Sequence, residues 1–257
     1  PTVTPAEAEA LLGKNQADTK GVSAELLMLV AEGKLKFTQI PYGKRGKETT
    51  EIKRNGEFNM SFIDHCIDEI GDGQRVTIKQ INDYAKKDKK NKVAKWYKAW
   101  QAEVDASLHR FKDDYNISYR HGLLGLAITT PVLAIVVGIL GRLGEATNLY
   151  WIVGLFLTIL IEIWILVTWD NVSMYNEVGL QQYNQIKGFK QMMKDIAHFN
   201  TAEIGDLILW EQILPYATAF GLAEKVAKKL KTDFGPRLDE NVSFYAYYYG
   251  IHGANLG

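Results

Sequence analysis

The chain has one cysteine, Cys66, so no disulfide can form within it, and the cross-linked frameworks of small secreted domains are excluded. A lone thiol suits a reducing, cytosolic face, and Cys66 is expected simply to be buried. Histidine is also scarce. The five residues His65, His109, His121, His198 and His252 lie far apart, and none has metal-ligand spacing with another histidine or with Cys66. The segment Gly43-Lys44-Arg45-Gly46-Lys47 lacks the spacing of a phosphate-binding loop and is followed by Glu48 rather than Ser or Thr, so it is expected to be a hairpin tip. No Gly-x-Ser-x-Gly elbow presents a nucleophilic serine. No local motif for catalysis, metal or cofactor is left, and the expected function is non-enzymatic with no cofactor.

Charge is missing from one long stretch. Lys plus Arg and Asp plus Glu each number 30 in 257 residues, but from Gly122 to Trp169 only Arg142, Glu145 and Glu162 are charged. Gly122 to Gly141 has no formal charge at all, and twenty residues at about 1.5 Å each span roughly 30 Å, the hydrocarbon thickness of a bilayer. Leu149 to Trp169 supplies a second span with one acid, and Tyr150, Trp151, Trp164 and Trp169 lie towards its ends as interfacial aromatics do. Pro131 in the first span removes one helical hydrogen bond, which membrane helices accommodate. The alternative, a buried hairpin of a soluble protein, fits poorly, because such helices rarely run so far without a charged face.

The connection Arg142 to Asn148 is so short that the two helices must be antiparallel neighbours, which puts both flanking regions on one side. Arg110, Lys112 and Arg120 approach the first span and Lys187 and Lys190 follow the second, against Arg142 alone in the loop. The positive-inside rule then places both ends in the cytosol and makes the chain a multi-pass protein of the cell membrane. Glu162 is the one ionisable residue inside either span, and a carboxylate there is costly unless it meets protein. Gly154, Thr158 and Glu162 recur every four residues, facing an expected stripe of Ala127, Thr130, Ala134 and Gly138. A hairpin-locking contact between Glu162 and Thr129, Thr130 or the carbonyl of Ala127 is expected.

Before the spans, Thr4-Pro5-Ala6-Glu7 is a capping box that starts a helix ending at Leu11, Leu12 and Gly13. Val22 to Ala31 gives a second helix, stopped by Gly33, and alternation predicts strands near 35 to 40 and 49 to 54. Helix, turn, helix and a two-stranded wing outline a winged-helix-like region. Asn59 is expected to cap a further helix containing Phe62, Ile63, Cys66, Ile67 and Ile70, broken by Gly71-Asp72-Gly73. Val76, Ile78 and Ile81 come next, and Trp96, Trp100, Val104 and Leu108 then mark a helix leading towards the membrane. Residues 1 to 118 thus form one region, divisible into units 1 to 56 and 57 to 118; the hairpin occupies 119 to 170.

Seven lysines crowd into thirteen positions, Lys86, Lys87, Lys89, Lys90, Lys92, Lys95 and Lys98, with Lys44, Arg45 and Lys47 in the hairpin loop. They fit a solvated face, a contact with anionic lipid headgroups, or a track along nucleic-acid phosphates. Arginines able to read guanine edges are scarce here, which counts against sequence-specific DNA binding.

After the spans, residues 171 to 257 read as a helical region. Gly179 to Phe199 carries Tyr183, Ile186, Phe189, Met192, Met193 and Ile196 at helical spacing, suited to packing on neighbours or to lying on a membrane surface. Leu207 to Leu214, a Pro215-Tyr216-Ala217 break, and Gly221 to Leu230 complete it, before an aromatic run from Phe244 and a short glycine tail. The fold class is therefore mainly α: a winged-helix-like cytosolic region, a transmembrane hairpin and a helical carboxy-terminal region.

Several short stretches are familiar. Lys187-Gly188-Phe189, Leu209-Trp210-Glu211, Leu214-Pro215-Tyr216-Ala217 and Gly221-Leu222, placed after a paired span, resemble the carboxy-terminal portion of the YciQ-like predicted membrane proteins, a bacterial family with a domain of unknown function, 2207. Thr4-Pro5-Ala6-Glu7, Gly21-Val22-Ser23-Ala24, Leu26-Leu27 and Gly33 are similar to the start of that family's cytosolic portion. The resemblance implies an export signal, an exported β-rich domain and an earlier span upstream; the opening Pro1, without Met or leader, likewise reads as the start of a fragment. It also implies a glycine-rich tail, of which Gly250, Gly253 and Gly257 are the only trace, and carries no catalytic residue. The expected role is a membrane-bound scaffold or regulator, with the lipid bilayer and proteins at the cytosolic face as partners. A membrane-tethered DNA-binding regulator is the alternative, and a membrane-associated enzyme the third reading.

Overall fold

The computed structural model describes residues 2–13, 16–43, 47–143, 148–198 and 207–234. The chain is mainly helical and divides into two compact units, one made of Pro1–His109 with Tyr183–Gly257 and the other of Arg110–Gln182.

In the first unit, α1 (Pro5–Leu12) opens with the expected capping box: Thr4 and Glu7 exchange hydrogen bonds, with Pro5 in the first turn. Helix α2 (Thr19–Ala31) starts three residues earlier than the apolar pattern, because Asp18 accepts from the Lys20 amide and caps it. Strands β1 (Leu35–Tyr42) and β2 (Lys47–Arg54) pair antiparallel from Leu35 opposite Arg54 to Tyr42 opposite Lys47, extending the expected strands at their hairpin ends. Of that hairpin's tip, Lys44 and Arg45 lie outside the described residues. Helix α3 (Ser61–Glu69) is preceded by Met60, which makes no side-chain cap, so the expected Asn59 cap is not formed.

A strand that hydropathy did not signal follows. Strand β3 (Arg75–Thr77) pairs with β2, so the sheet order is β1-β2-β3 and residues from both halves of the amino-terminal region share it. The turn into β3 depends on Gly71, where an added Cβ would lie 2.0 Å from the Arg75 carbonyl oxygen. Thr77 and Gln80 form a second capping box that starts α4 (Ile78–Lys87), and α5 (Lys92–Leu108) follows, burying Trp100, Val104 and Leu108.

The carboxy-terminal helices complete this unit from Tyr183 onward. Helix α8 (Glu177–Lys194) and a 3-10 turn at Ile196–His198 cover most of the segment expected as one helix, the segment's end lying outside the described residues. Helix α9 (Leu207–Ala219) runs through Pro215 without the expected break, and α10 (Ala223–Phe234) follows. Helix α9 packs on both α1 and α2, more than 170 residues away in sequence. Tyr216 donates its hydroxyl to the Val3 carbonyl at 2.7 Å, and Trp210, Leu214 and Ala217 are at most 1% exposed. Helix α5 joins the same core: Ser107 Oγ donates to Glu7 Oε1 at 2.6 Å and Gln101 Nε2 to the Ala17 carbonyl at 2.5 Å.

The second unit is built on α6 (Asp114–Leu143) and α7 (Asn148–Asn171), which pack on one another. Helix α6 begins eight residues before the apolar stretch, with polar turns that a hydropathy reading does not register.

Candidate membrane anchor and basic face

Within α6 and α7, Asp114–Gly141 and Ile152–Asn171 are each long and apolar enough to cross a membrane, and their apolar windows are only 11% and 6% buried by protein. Ile128, Leu133, Leu155 and Trp164 stand 60% exposed or more. Water would penalise that surface heavily, whereas lipid tails would not.

The least exposed residues mark where the helices meet. On α6 from Gly122 onward they are Leu123, Ala127, Thr130, Pro131, Ala134, Gly138 and Gly141; on α7 they are Thr158, Glu162, Ile165 and Thr168. The small-residue stripe and the acid therefore share the shielded side. The hydrogen bond expected between them is not made. Thr129 donates to the Gly125 carbonyl at 3.0 Å and Thr130 to the Leu126 carbonyl at 2.6 Å, so both hydroxyl protons go to their own helix. Glu162 Oε1 is buried without a hydrogen-bond partner among the described residues. The connecting loop and the side chains of Tyr150 and Trp151 lie outside the described residues.

The end of the pair opposite that loop is tied by contacts that the sequence did not signal. Arg120 on α6 donates through Nη1 to the carbonyls of Trp169 at 2.7 Å and Val172 at 2.5 Å, and its guanidinium lies 4.0 Å from the Trp169 ring centroid. It thus satisfies orphan carbonyls at the α7 carboxyl end with a cation, the sign the helix dipole favours. Asn176 then joins the two strands of chain: its Nδ2 donates to the Arg110 carbonyl at 2.9 Å, its Oδ1 accepts from the Gly179 amide at 2.8 Å, and its own amide donates to the Phe111 carbonyl at 3.0 Å. A Cβ on Gly179 would lie 2.1 Å from the Phe111 oxygen, so the approach requires glycine. An asparagine three residues before a glycine at a helix start was the available signal.

In the other unit the lysine run is split by structure. Lys86 and Lys87 end α4, Lys89 and Lys90 occupy the turn, and Lys92, Lys95 and Lys98 lie on α5. Lys92 pairs with Glu69 at 2.9 Å; among the described residues none of the other six makes an ion pair, and those six are exposed. Asp88, the acid within the run, accepts from the amides of Lys90 and Val93 and so pins the turn. Beside it is a half-open cleft of about 310 Å³ between α2, α3, α4 and α5, lined largely by apolar side chains. A second, polar cleft of about 260 Å³ lies between the β-hairpin and α4, where Lys79 bonds Asp83 at 2.6 Å.

The family-like motif residues serve packing. Leu214, Pro215, Tyr216 and Ala217 are the buried stretch of α9, and Phe189 meets the rings of Tyr216 and Phe220 edge-on at 5.6 and 6.2 Å. Gly221, at φ +69°, ends α9 in a Schellman turn, with Leu222 N donating to Ala217 O and Gly221 N to Thr218 O. Gly188 is exposed with nothing near its absent Cβ, and the structure gives no reason for it.

Three acids crowd the α1–α2 junction. Burial pushes the Glu9 carboxyl up to about 8, helped by its bond with Asp18, and burial pushes Glu25 to about 6. Burial opposes charge on Asp18 too, but its bonds with Glu9 and with the Lys20 and Gly21 amides outweigh that and lower it. Burial, with Glu25 and Glu7 nearby, raises the Tyr216 phenol to about 12, so it stays a donor. Among the described residues, no group of three or more His, Cys, Asp or Glu side chains is placed to hold a metal ion.

No curated protein and no solved structure matches the chain. Residues 1–230 match the family described as predicted membrane protein (DUF2207) C-terminal domain. A match over so much of the sequence, with two unburied apolar helices inside it, leads to one statement of identity: the chain belongs to this family of predicted membrane proteins of unknown function.

Proposed function

We propose that the chain is a multi-pass membrane protein whose α6–α7 hairpin anchors a cytosolic domain that binds partner proteins at the bilayer surface, without catalysis. One observation carries the topology: residues before and after the two helices build a single compact unit, with α9 packed on α1 and α2. If both helices cross the bilayer, a domain shared by the two arms can form only when the arms emerge on the same side. The basic residues Arg110, Lys112, Arg120, Lys187 and Lys190 around that side favour the cytosol. The scaffold role is supported by a domain rich in packed helices, with one apolar-lined and one polar cleft on its surface. Within it, α1, α2 and the β1–β2 hairpin, with β3 completing the sheet, support a winged-helix-like reading.

The topology is tested with single cysteines in a Cys66→Ala background. A membrane-impermeant maleimide applied to intact cells should label Ala146→Cys at once and Lys36→Cys only after lysis. Labelling of both from outside would refute the hairpin, and the reverse pattern would invert its orientation. The DNA-binding alternative is tested on the whole chain in detergent, because residues 1 to 118 alone would lack α9. Binding of duplex DNA tighter than about micromolar at physiological salt, with a steep salt dependence, would displace the scaffold reading.

A further inference from the structure

The lysine run has no explanation in the stability of its own helices. Lys86 and Lys87 suit the last turn of α4, but Lys92 and Lys95 stand in the first turns of α5, where the macrodipole disfavours cations; Glu69 offsets Lys92 at 2.9 Å, while Lys95 makes no ion pair among the described residues. Lys89 and Lys90 extend into water from a turn whose one carboxylate, Asp88, is already committed to backbone amides. Six exposed ammonium groups without ion pairs among the described residues give this face a positive potential, only partly offset by Asp83 near Lys86 and Lys87, that attracts an anion.

A second observation narrows the anion. The residues lining the neighbouring 310 Å³ cleft alternate along the chain with the lysines: Ala85, Val93, Ala94 and Tyr97 face it from the same stretch, with Val22 and Phe62 across from them. Its volume is at the small end of ligand pockets, and its lining is mostly apolar. A nucleic-acid backbone would use the charges and leave that apolar cleft empty. Lysines are hydrated point charges without the planar fork that reads bases, so nothing here specifies sequence. An anionic lipid uses both features, its phosphate among the ammonium groups and its glyceryl and acyl part against the cleft.

We propose that the α4–α5 turn and its adjoining cleft form a docking surface for anionic phospholipid of the membrane in which the chain is anchored. The proposal rests on the anchored reading above. Tethering makes the lipid surface locally concentrated, so each contact can be weak and still hold. Lys86, Lys87, Lys89, Lys90, Lys95 and Lys98 neutralise headgroup charge, and the apolar lining takes the hydrocarbon nearest the glycerol.

The test uses the full chain in lipid nanodiscs, of phosphatidylcholine alone or with one-third phosphatidylglycerol. Amine-modification rates at each lysine are read by mass spectrometry. In the anionic discs, Lys89 and Lys90 should be modified about fivefold more slowly, the size expected of one lysine near an anionic surface, with high salt restoring the rate. Lys36 and Lys53, exposed on β1 and β2, serve as references and should not change. Phosphatidylglycerol carrying a photoreactive group near the top of its acyl chain should crosslink within residues 85–97 and lose that crosslink in a Lys86→Gln, Lys87→Gln, Lys89→Gln, Lys90→Gln variant. Equal rates in the two lipids, with the chain still held in the disc against alkaline extraction, would overturn the lipid proposal alone; release of the chain by that extraction would overturn the anchor as well. Protection by added duplex DNA but not by anionic lipid would assign the surface to nucleic acid instead.

Discussion

Helices α9 and α7 are both rich in leucine, isoleucine and tryptophan, yet in α9 Trp210 and Leu214 are 0% and 1% exposed, whereas in α7 Leu155 and Trp164 are 67% and 60% exposed. Helix α9 packs on α1 and α2; α7 packs on α6. The same side-chain chemistry thus serves two solvents. What separates them in sequence is length and interruption: α9 has 13 residues, too few to cross a bilayer, while α7 has 24.

Substitutions in α9 and in the spans should break this symmetry most visibly. Trp210→Ala should destabilise the first unit by about 3–5 kcal/mol, since it removes a fully buried indole and leaves a cavity. Leu133→Ala, at a position 66% exposed on α6, should change stability by no more than about 0.5 kcal/mol. Unfolding of the full chain in detergent, followed by fluorescence or circular dichroism, measures both. A large loss for Leu133→Ala would mean that a protein surface, not lipid, covers that face.

The spans were legible because clearing charge from so long a stretch has few other causes. The hairpin strands were legible because Leu35, Phe37 and Ile52 alternate with polar neighbours. The docking of α9 on α1 and α2 left no local trace, since a buried helix face does not say which partner buries it. Leu214-Pro215-Tyr216-Ala217 stood out as a motif, but nothing near it in sequence points to the Val3 carbonyl. Glu162 shows a different limit. Helical spacing placed it on the shielded side, but Thr129 is exposed, and both threonines give their hydroxyl protons to carbonyls one turn back on their own helix.

A sharper comparison of the two units uses single contacts. Gly179→Ala would drive a Cβ to within 2.1 Å of the Phe111 oxygen, so the Asn176 clasp must open; overpacking of this kind costs about 1–3 kcal/mol. Faster proteolysis near residues 110 to 113 in the folded chain would report it, and unchanged cleavage would show that the close approach is not maintained. In the first unit, Tyr216→Phe removes only the hydroxyl donated to Val3. The expected cost is about 1 kcal/mol, one hydrogen bond to a buried carbonyl. A neutral result would show that water reaches that carbonyl.

The smallest effect concerns pH and belongs to the first unit alone. Glu9 Oε2 accepts from the Asp18 amide at 3.0 Å, and an added Cβ on Gly21 would lie 2.4 Å from that same oxygen, so the carboxyl is wedged between α1 and the start of α2. Burial and the neighbouring Asp18 raise it from 4.5 to about 8, while Lys20 opposes the rise. An acid raised on folding contributes its stability below the unfolded value and loses it as pH climbs through the folded one, so the unit should weaken between about pH 4.5 and 8. Glu25, raised to about 6, adds a loss in the lower part of that window. Because Glu9 is part-exposed, solvent screening holds its share to about 1 kcal/mol or less. Glu9→Gln keeps an acceptor for the Asp18 amide and a donor for its carboxylate without ionising. It should match the parent chain near pH 4.5 and exceed it near pH 8, leaving only the Glu25 part of the slope. Glu9→Ala, which keeps neither group, should be weaker than Glu9→Gln at both pH values. Parallel pH profiles for the parent and Glu9→Gln would mean that Glu9 ionises freely in the folded state and that its wedge against Gly21 does not persist in solution.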